Sequence, residues 1–160
     1  MRLYIAVLLL FATPIGRAAD DEITRRSLRG LKGVAVLVES LKPEVEANGL
    51  TRVAIQTDVE LKLRQTGIPV LDLGNANAVL DVAVSVITHL DTLWPYVIEV
   101  QLLQDAALVR DPSIVAPFAR SWHVTVFGYV GKDGIRGRRD DVKDQVDQFI
   151  NAYLAANPKK

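Results

Sequence analysis

His89 and His123 are the two histidines of the chain, and there is no cysteine. Both fall at odd positions of segments that read as strands, and Asp81, Ser85, Glu99, Gln101 and Thr125 share that parity. Residues of one parity project from one face of a sheet, so on adjacent strands some of these could come within metal-ligand reach. No His-x-x-x-His or Glu-x-x-His spacing accompanies them. A partly solvated polar face of an antiparallel sheet accounts for the same residues. Ser85, His89 and Asp81 could also be drawn as a hydrolase triad, with serine as nucleophile, histidine as base and aspartate to orient it. The Gly-x-Ser-x-Gly elbow and a recognisable oxyanion loop do not accompany them. No catalytic, cofactor-binding or metal-binding residue is assigned from these patterns, and no cofactor is expected.

A second candidate is the stretch 131–139, Gly-Lys-Asp-Gly-Ile-Arg-Gly-Arg-Arg. Glycines with Lys132, Arg136, Arg138 and Arg139 ahead of a helix could cradle an anion. The stretch matches neither the Walker pattern nor Gly-x-Gly-x-x-Gly, and Asp140 and Asp141 sit where an anion would dock. A flexible turn with Asp133-Gly134 at its tip is the expected form. Trp94 and Trp122 open two strand segments at core-face positions, which fits core anchors better than a stacking platform for bases or sugars.

The elements that would hold these residues are legible. Residues 33–40 are rich in β-branched types and read as a strand, ended by Lys42-Pro43. A helix follows with Thr51 as N-cap, Leu50 and Ile55 at staple spacing, and an apolar stripe of Ile55, Val59 and Leu63. Thr57 and Glu60 also fit a capping box, which would start the helix a turn later. Gly67 suits the left-handed position past the last turn, Ile68 can pack back on Leu63, and Pro69 prevents continuation. Residues 68–71 read as a short strand and 74–77 as a loop. Three longer strands follow over 79–88, 94–104 and 122–130, each with its even-numbered residues the more apolar. The connection near Asp91-Thr92 is short enough for a hairpin, and 110–119, with Pro112 and Pro117, reads as a long loop. From Asp141, with Asp140 as a possible cap, the apolar residues Val142, Val146, Phe149, Ile150, Tyr153 and Leu154 recur on one helix face.

The predicted order is β-α-β-β-β-β-α. The first β-α-β unit is expected to be a right-handed parallel crossover and the rest an antiparallel meander. This is an α+β fold, a two-layer sandwich whose mixed, mainly antiparallel sheet carries two helices on one face.

The composition, 49% hydrophobic and 24% charged, is globular, and 160 residues suffice for one domain with a core of its own. Lysine plus arginine equals aspartate plus glutamate at 19 each. No basic excess exists to hold a polyanion, so nucleic acid is not an expected partner. The first 18 residues read as a signal peptide. Arg2 precedes an apolar run over 3–12 that is too short to span a bilayer, Thr13-Pro14-Ile15-Gly16 breaks it, and small residues at Gly16 and Ala18 mark a cut after Ala18. Removing Arg2 and Arg17 with it takes the basic count from 19 to 17. The expected organisation is 1–18 signal peptide and 19–160 a single α+β domain, periplasmic or secreted by bacterial export. Without a cysteine at the cut site no lipid anchor is expected, and no later stretch is long and apolar enough for a membrane span. Disulfides, thiol catalysis and cysteine-ligated zinc are excluded by the same absence.

Two stretches carry a family resemblance. Residues 31–71, containing Asp58-Val-Glu-Leu-Lys-Leu-Arg-Gln-Thr-Gly-Ile68, and the tail Phe149-Ile-Asn-Ala-Tyr-Leu-Ala-Ala-Asn-Pro-Lys159 resemble a group of small bacterial exported proteins of unknown function. The resemblance covers most of the expected mature chain. The element order is also similar, by topology alone, to the N-terminal α/β domain of the Tol-Pal protein TolB, though this chain lacks room for the β-propeller that follows there. Neither resemblance carries a functional residue over.

One feature of the strands points to function. Leu37, Ile87, Val97, Leu103, Phe127 and Tyr129 are large apolar residues at odd positions, away from the even-numbered core set. Two helices suffice to cover one face of such a sheet, and the pattern offers no third. The second face is therefore the candidate contact surface, for a periplasmic protein or for a second copy in a homodimer. The expected function is that of a non-catalytic periplasmic binding or accessory domain. The alternative is a small periplasmic hydrolase or ligand-processing enzyme built on the polar residues of the same face.

Overall fold

The computed structural model describes residues 22–90 and 92–158. The segment 1–18 read as a signal peptide, and the cut before Ala19, lie outside the described residues. The chain opens with a short helix α1 (Glu22–Arg25) and a tight turn (Arg26–Leu28), then strand β1 (Ala35–Val38), a short helix α2 (Pro43–Ala47) and helix α3 (Arg52–Gln65). Strands β2 (Ala78–Val86), β3 (Trp94–Leu108) and β4 (Asp111–Val130) follow, and helix α4 (Arg138–Ala156) comes last. The four strands form one sheet in the order β1-β2-β3-β4. β1 pairs with β2 in parallel, and the other two pairings are antiparallel. The fold is α+β, with the mixed sheet that the strand pattern predicts.

Local chemistry sets the helix ends. The Thr51 side chain accepts a hydrogen bond from the Ala54 N–H, which settles the start of α3 at Arg52 and leaves Thr57 inside the helix. At the other end the Ile68 N–H reaches the Leu63 carbonyl and the Gly67 N–H that of Arg64, the paired bonds of a Schellman ending, with Gly67 at φ +79°. Ile55, Val59 and Leu63 from α3, and Val142, Val146, Phe149, Ile150 and Tyr153 from α4, are buried with the even-numbered strand residues in one core. Phe149 meets Trp122 edge-on at 5.4 Å between ring centroids. Leu154 departs from its predicted stripe and is exposed.

Four expectations are corrected. The strand expected over 68–71 is one parallel bridge, Val34 to Val70. Pro69 has no N–H to extend a ladder, and only its carbonyl joins, accepting from the Val34 N–H at 3.1 Å. The loop expected over 110–119 is the first half of β4, paired with an extension of β3 as far as Leu108. Pro112 and Pro117 survive there because β4 is an edge strand, where a missing donor breaks no ladder. Register shifts between Leu102 and Leu103 and between Gln104 and Ala106 mark bulges, and Phe118 takes a left-handed φ of +52° in the second of these regions. The flexible turn expected at 131–139 is a tight helical turn, Lys132–Gly137, with Ile135 fully buried. α4 accordingly begins at Arg138, so Asp140 lies inside it and not at its cap.

The segment 22–31 carries no strong periodic signal, yet it is tied to the body. Leu28 is fully buried. The Asn157 side chain accepts from the Gly30 N–H at 2.7 Å and donates to the Leu28 carbonyl at 2.9 Å, while the Tyr153 hydroxyl donates to the Leu31 carbonyl at 2.7 Å. The end of α4 therefore holds the start of the domain.

Candidate functional site: the open face of the sheet

α3 and α4 both pack on the even-numbered face. The odd-numbered face is banded, because cross-strand partners place like residues in rows. At one end Ile87, Pro95 and Tyr129 form a row, joined by the Ile87 N–H to Pro95 carbonyl bond of 2.9 Å, and Ser85, Val97 and Phe127 form the next. Phe127 is 70% exposed and Tyr129 67%. Next come Ala83, Glu99 and Thr125, then Leu37, Asp81, Gln101 and His123. Beyond them Leu103 pairs with Arg120, where the β3–β4 hairpin begins to run past the ends of β1 and β2.

The six predicted contact residues thus share a face without forming one patch. Ile87, Val97, Phe127 and Tyr129 cluster at one end. Leu37 stands half-buried beside Asp81 on β1, and Leu103 is half-buried at the base of the projecting hairpin. Sequence reading missed the hairpin itself, whose Val109, Ile114, Val115 and Phe118 are exposed. Residues 104–108, Gln-Asp-Ala-Ala-Leu, do not alternate, and the two prolines masked the partner strand, so no local signal marked it.

The polar band is held by its own side chains. Asp81 is buried, and its Oδ2 accepts from the Gln101 side chain at 2.8 Å while its Oδ1 has no hydrogen-bond partner. Glu99 accepts a long bond from the Thr125 hydroxyl at 3.4 Å and lies 3.5 Å from the Arg120 guanidinium. Asp81 and Ser85 are four residues apart on one strand, roughly 13 Å, and His89 falls beyond the end of β2. The triad drawn from the sequence is therefore not brought together. Among the described residues no three histidine, aspartate or glutamate side chains are placed to hold a metal. A depression of 460 Å³ opens where β1 ends beside β2, lined by Glu39, Ser40, Lys42, Ser85, Ile87 and Val97 among others. It includes none of the triad except Ser85.

The basic stretch is committed to the fold. Arg138 donates to Asp141 at 2.8 Å and to the Tyr96 hydroxyl at 3.0 Å. Arg139 makes a two-pronged bond to Asp58 on α3, and Lys143 stands 3.4 Å from the same carboxylate. The Arg139 hydrogen bond holds the Asp58 carboxyl below its ordinary range against the opposing effect of partial burial, with Lys143 adding to the shift. These cations pin α4 to α3 and to β3, which leaves Lys132 and Arg136 exposed at the turn. Trp94 and Trp122 are both buried, as core anchors should be, and Trp122 lies in the middle of β4 and not at a strand start. No helix of the described residues is long and apolar enough to cross a membrane.

Comparison with protein-family models finds no match, and comparison with curated proteins finds none either.

Proposed function

We propose that this is an exported, non-catalytic binding or accessory domain that uses the open face of its sheet as a contact surface. One observation carries the reading. Phe127 and Tyr129 stand mostly exposed beside Ile87 and Val97 on the face opposite both long helices. Aromatic side chains of this size exposed together are costly in water and are the usual anchors of protein interfaces. The occupant is a protein surface, because a broad sheet face offers area and not an enclosed cavity. The signal-peptide pattern of residues 1–18 and the resemblance to small exported proteins favour the periplasm or the exterior as the place of contact.

The test is Phe127→Glu and Ile87→Glu, read by thermal unfolding, by light scattering and by recovery of proteins bound in the cell envelope. Both variants should stay folded and lose association. Folded variants with unchanged mass and unchanged bound proteins would remove the face as an interface. Unfolding of both would make it internal core.

A further inference from the structure

We propose that the open face binds a second copy of the same chain, antiparallel and face to face, with the projecting β3–β4 hairpin of each copy lying on the Phe127–Tyr129 end of the other. This rests on the reading of the face as a contact surface and names its occupant.

The face has the symmetry that a twofold contact requires. Its central band is polar, around Gln101 and His123, and apolar zones flank it on both sides. Phe118 lies five positions before His123 on β4 and Phe127 four positions after it, roughly 13–17 Å in either direction. Phe118 shares a depression with Val79 and Leu103 of the odd-numbered face, and Val115 pairs with Ala107, also of that face. A twofold axis through the band therefore sets hairpin on aromatic end twice over, the self-complementary pattern of an isologous interface.

Charge and area agree with this arrangement. The axis maps the Glu99 row of one copy onto the Arg120 row of the other. Both side chains are partly exposed, so each carboxylate gains the partner's Arg120 as a second cation. The exposed parts of Ile87, Val97, Phe127, Tyr129, Val115 and Phe118 sum to on the order of 700 Å² per copy. With the polar band this reaches the roughly 800 Å² per partner of a stable interface. Edge-to-edge pairing through the first half of β4 is opposed by Pro112 and Pro117, which remove donors there.

Phe118 is the position to test first. A bulky residue at positive φ is disfavoured, and here its N–H is held by the Asp105 carboxylate at 3.2 Å with the ring mostly in solvent. Asparagine tolerates the same backbone, so Phe118→Asn removes the ring and keeps the bulge. The protein purified as the cell makes it should sediment as a dimer. Phe118→Asn and Phe127→Glu should each raise the dissociation constant by about tenfold or more, while Val53→Glu, on the exposed side of α3, should leave it unchanged. The chain has no cysteine of its own. Mixing the single variants Phe118→Cys and Phe127→Cys under mild oxidation should give a disulfide-linked pair, and neither alone should do so to a comparable extent. A monomer up to hundreds of micromolar, a dimer indifferent to both substitutions, or linkage only between like positions overturns the proposal. A monomer whose Phe127→Glu variant still loses bound envelope proteins overturns the second copy and leaves the contact face standing.

Discussion

Gly128 and Tyr96 face each other across the β3–β4 ladder, and a Cβ on Gly128 would lie 2.7 Å from the Tyr96 hydroxyl oxygen and 2.9 Å from the ring. The even-numbered core stripe of β4 skips this position so that the tyrosine can lie across it. From there the Tyr96 hydroxyl donates to Asp141 at 2.9 Å and accepts from Arg138 at 3.0 Å, tying β3 to the first turn of α4. Gly128→Ala should therefore cost about 1–3 kcal/mol through overpacking. Chemical denaturation measures it; an unchanged midpoint would mean that the ring moves aside freely.

Phe149 is fully buried against Trp122. Phe149→Ala should cost about 3–5 kcal/mol. Lys143 is not the neutral control that its place on the helix face opposite Phe149 predicts, because it pairs with Asp58 and Asp140. Asn151→Ala, on the exposed side of α4, should stay within about 0.5 kcal/mol. Similar midpoints for the Phe149 and Asn151 variants would show that α4 is not packed as described.

The Asp58 carboxyl is held below its ordinary range by Arg139, against partial burial and with help from Lys143. A carboxyl whose folded value is depressed stabilises the fold above its unfolded value, and loses that contribution as pH falls through the depressed one. Asp58→Asn should therefore cost about 1 kcal/mol at neutral pH and progressively less in acid. The check is the difference between variant and parent stabilities across the acidic range. A difference that stays constant with pH would mean that the pair does not form in solution.

Asn157 joins the last turn of α4 to Gly30 and Leu28. Asn157→Ala should cost about 0.5–1.5 kcal/mol, the net worth of such bonds where water can take the place of the lost partner at the exposed Gly30 N–H. It should also speed amide exchange in residues 24–31 before it affects the strands. Uniform exchange across the domain would show that the N-terminal segment is not held by this clasp.

Intact-mass measurement on exported protein should show a chain beginning at Ala19, from the small-residue pattern that ends at Ala18. Retention of Met1 in folded, exported material would refute that cut.

The alternation of the strands, the Thr51 cap, the Gly67 ending and the α4 stripe were legible in the sequence because each depends on residues a few positions apart. Local spacing is enough to say that Val82, Ile98 and Phe149 turn inward and that Phe127 and Tyr129 do not. Local spacing cannot say what a strand is next to. Pro112 and Pro117 read as a loop because proline breaks interior strands, and only the place of β4 at the sheet edge makes them tolerable. Arg138 and Arg139 read as a candidate anion site because the partners that occupy them, the Tyr96 hydroxyl on β3 for Arg138 and the Asp58 carboxylate on α3 for Arg139, reach them only in the folded chain. The six apolar residues of the second face were identified by parity alone. Their separation into an end cluster and a hairpin base, with a polar band between, follows from the registers of β1, β2, β3 and β4, which long-range pairing decides.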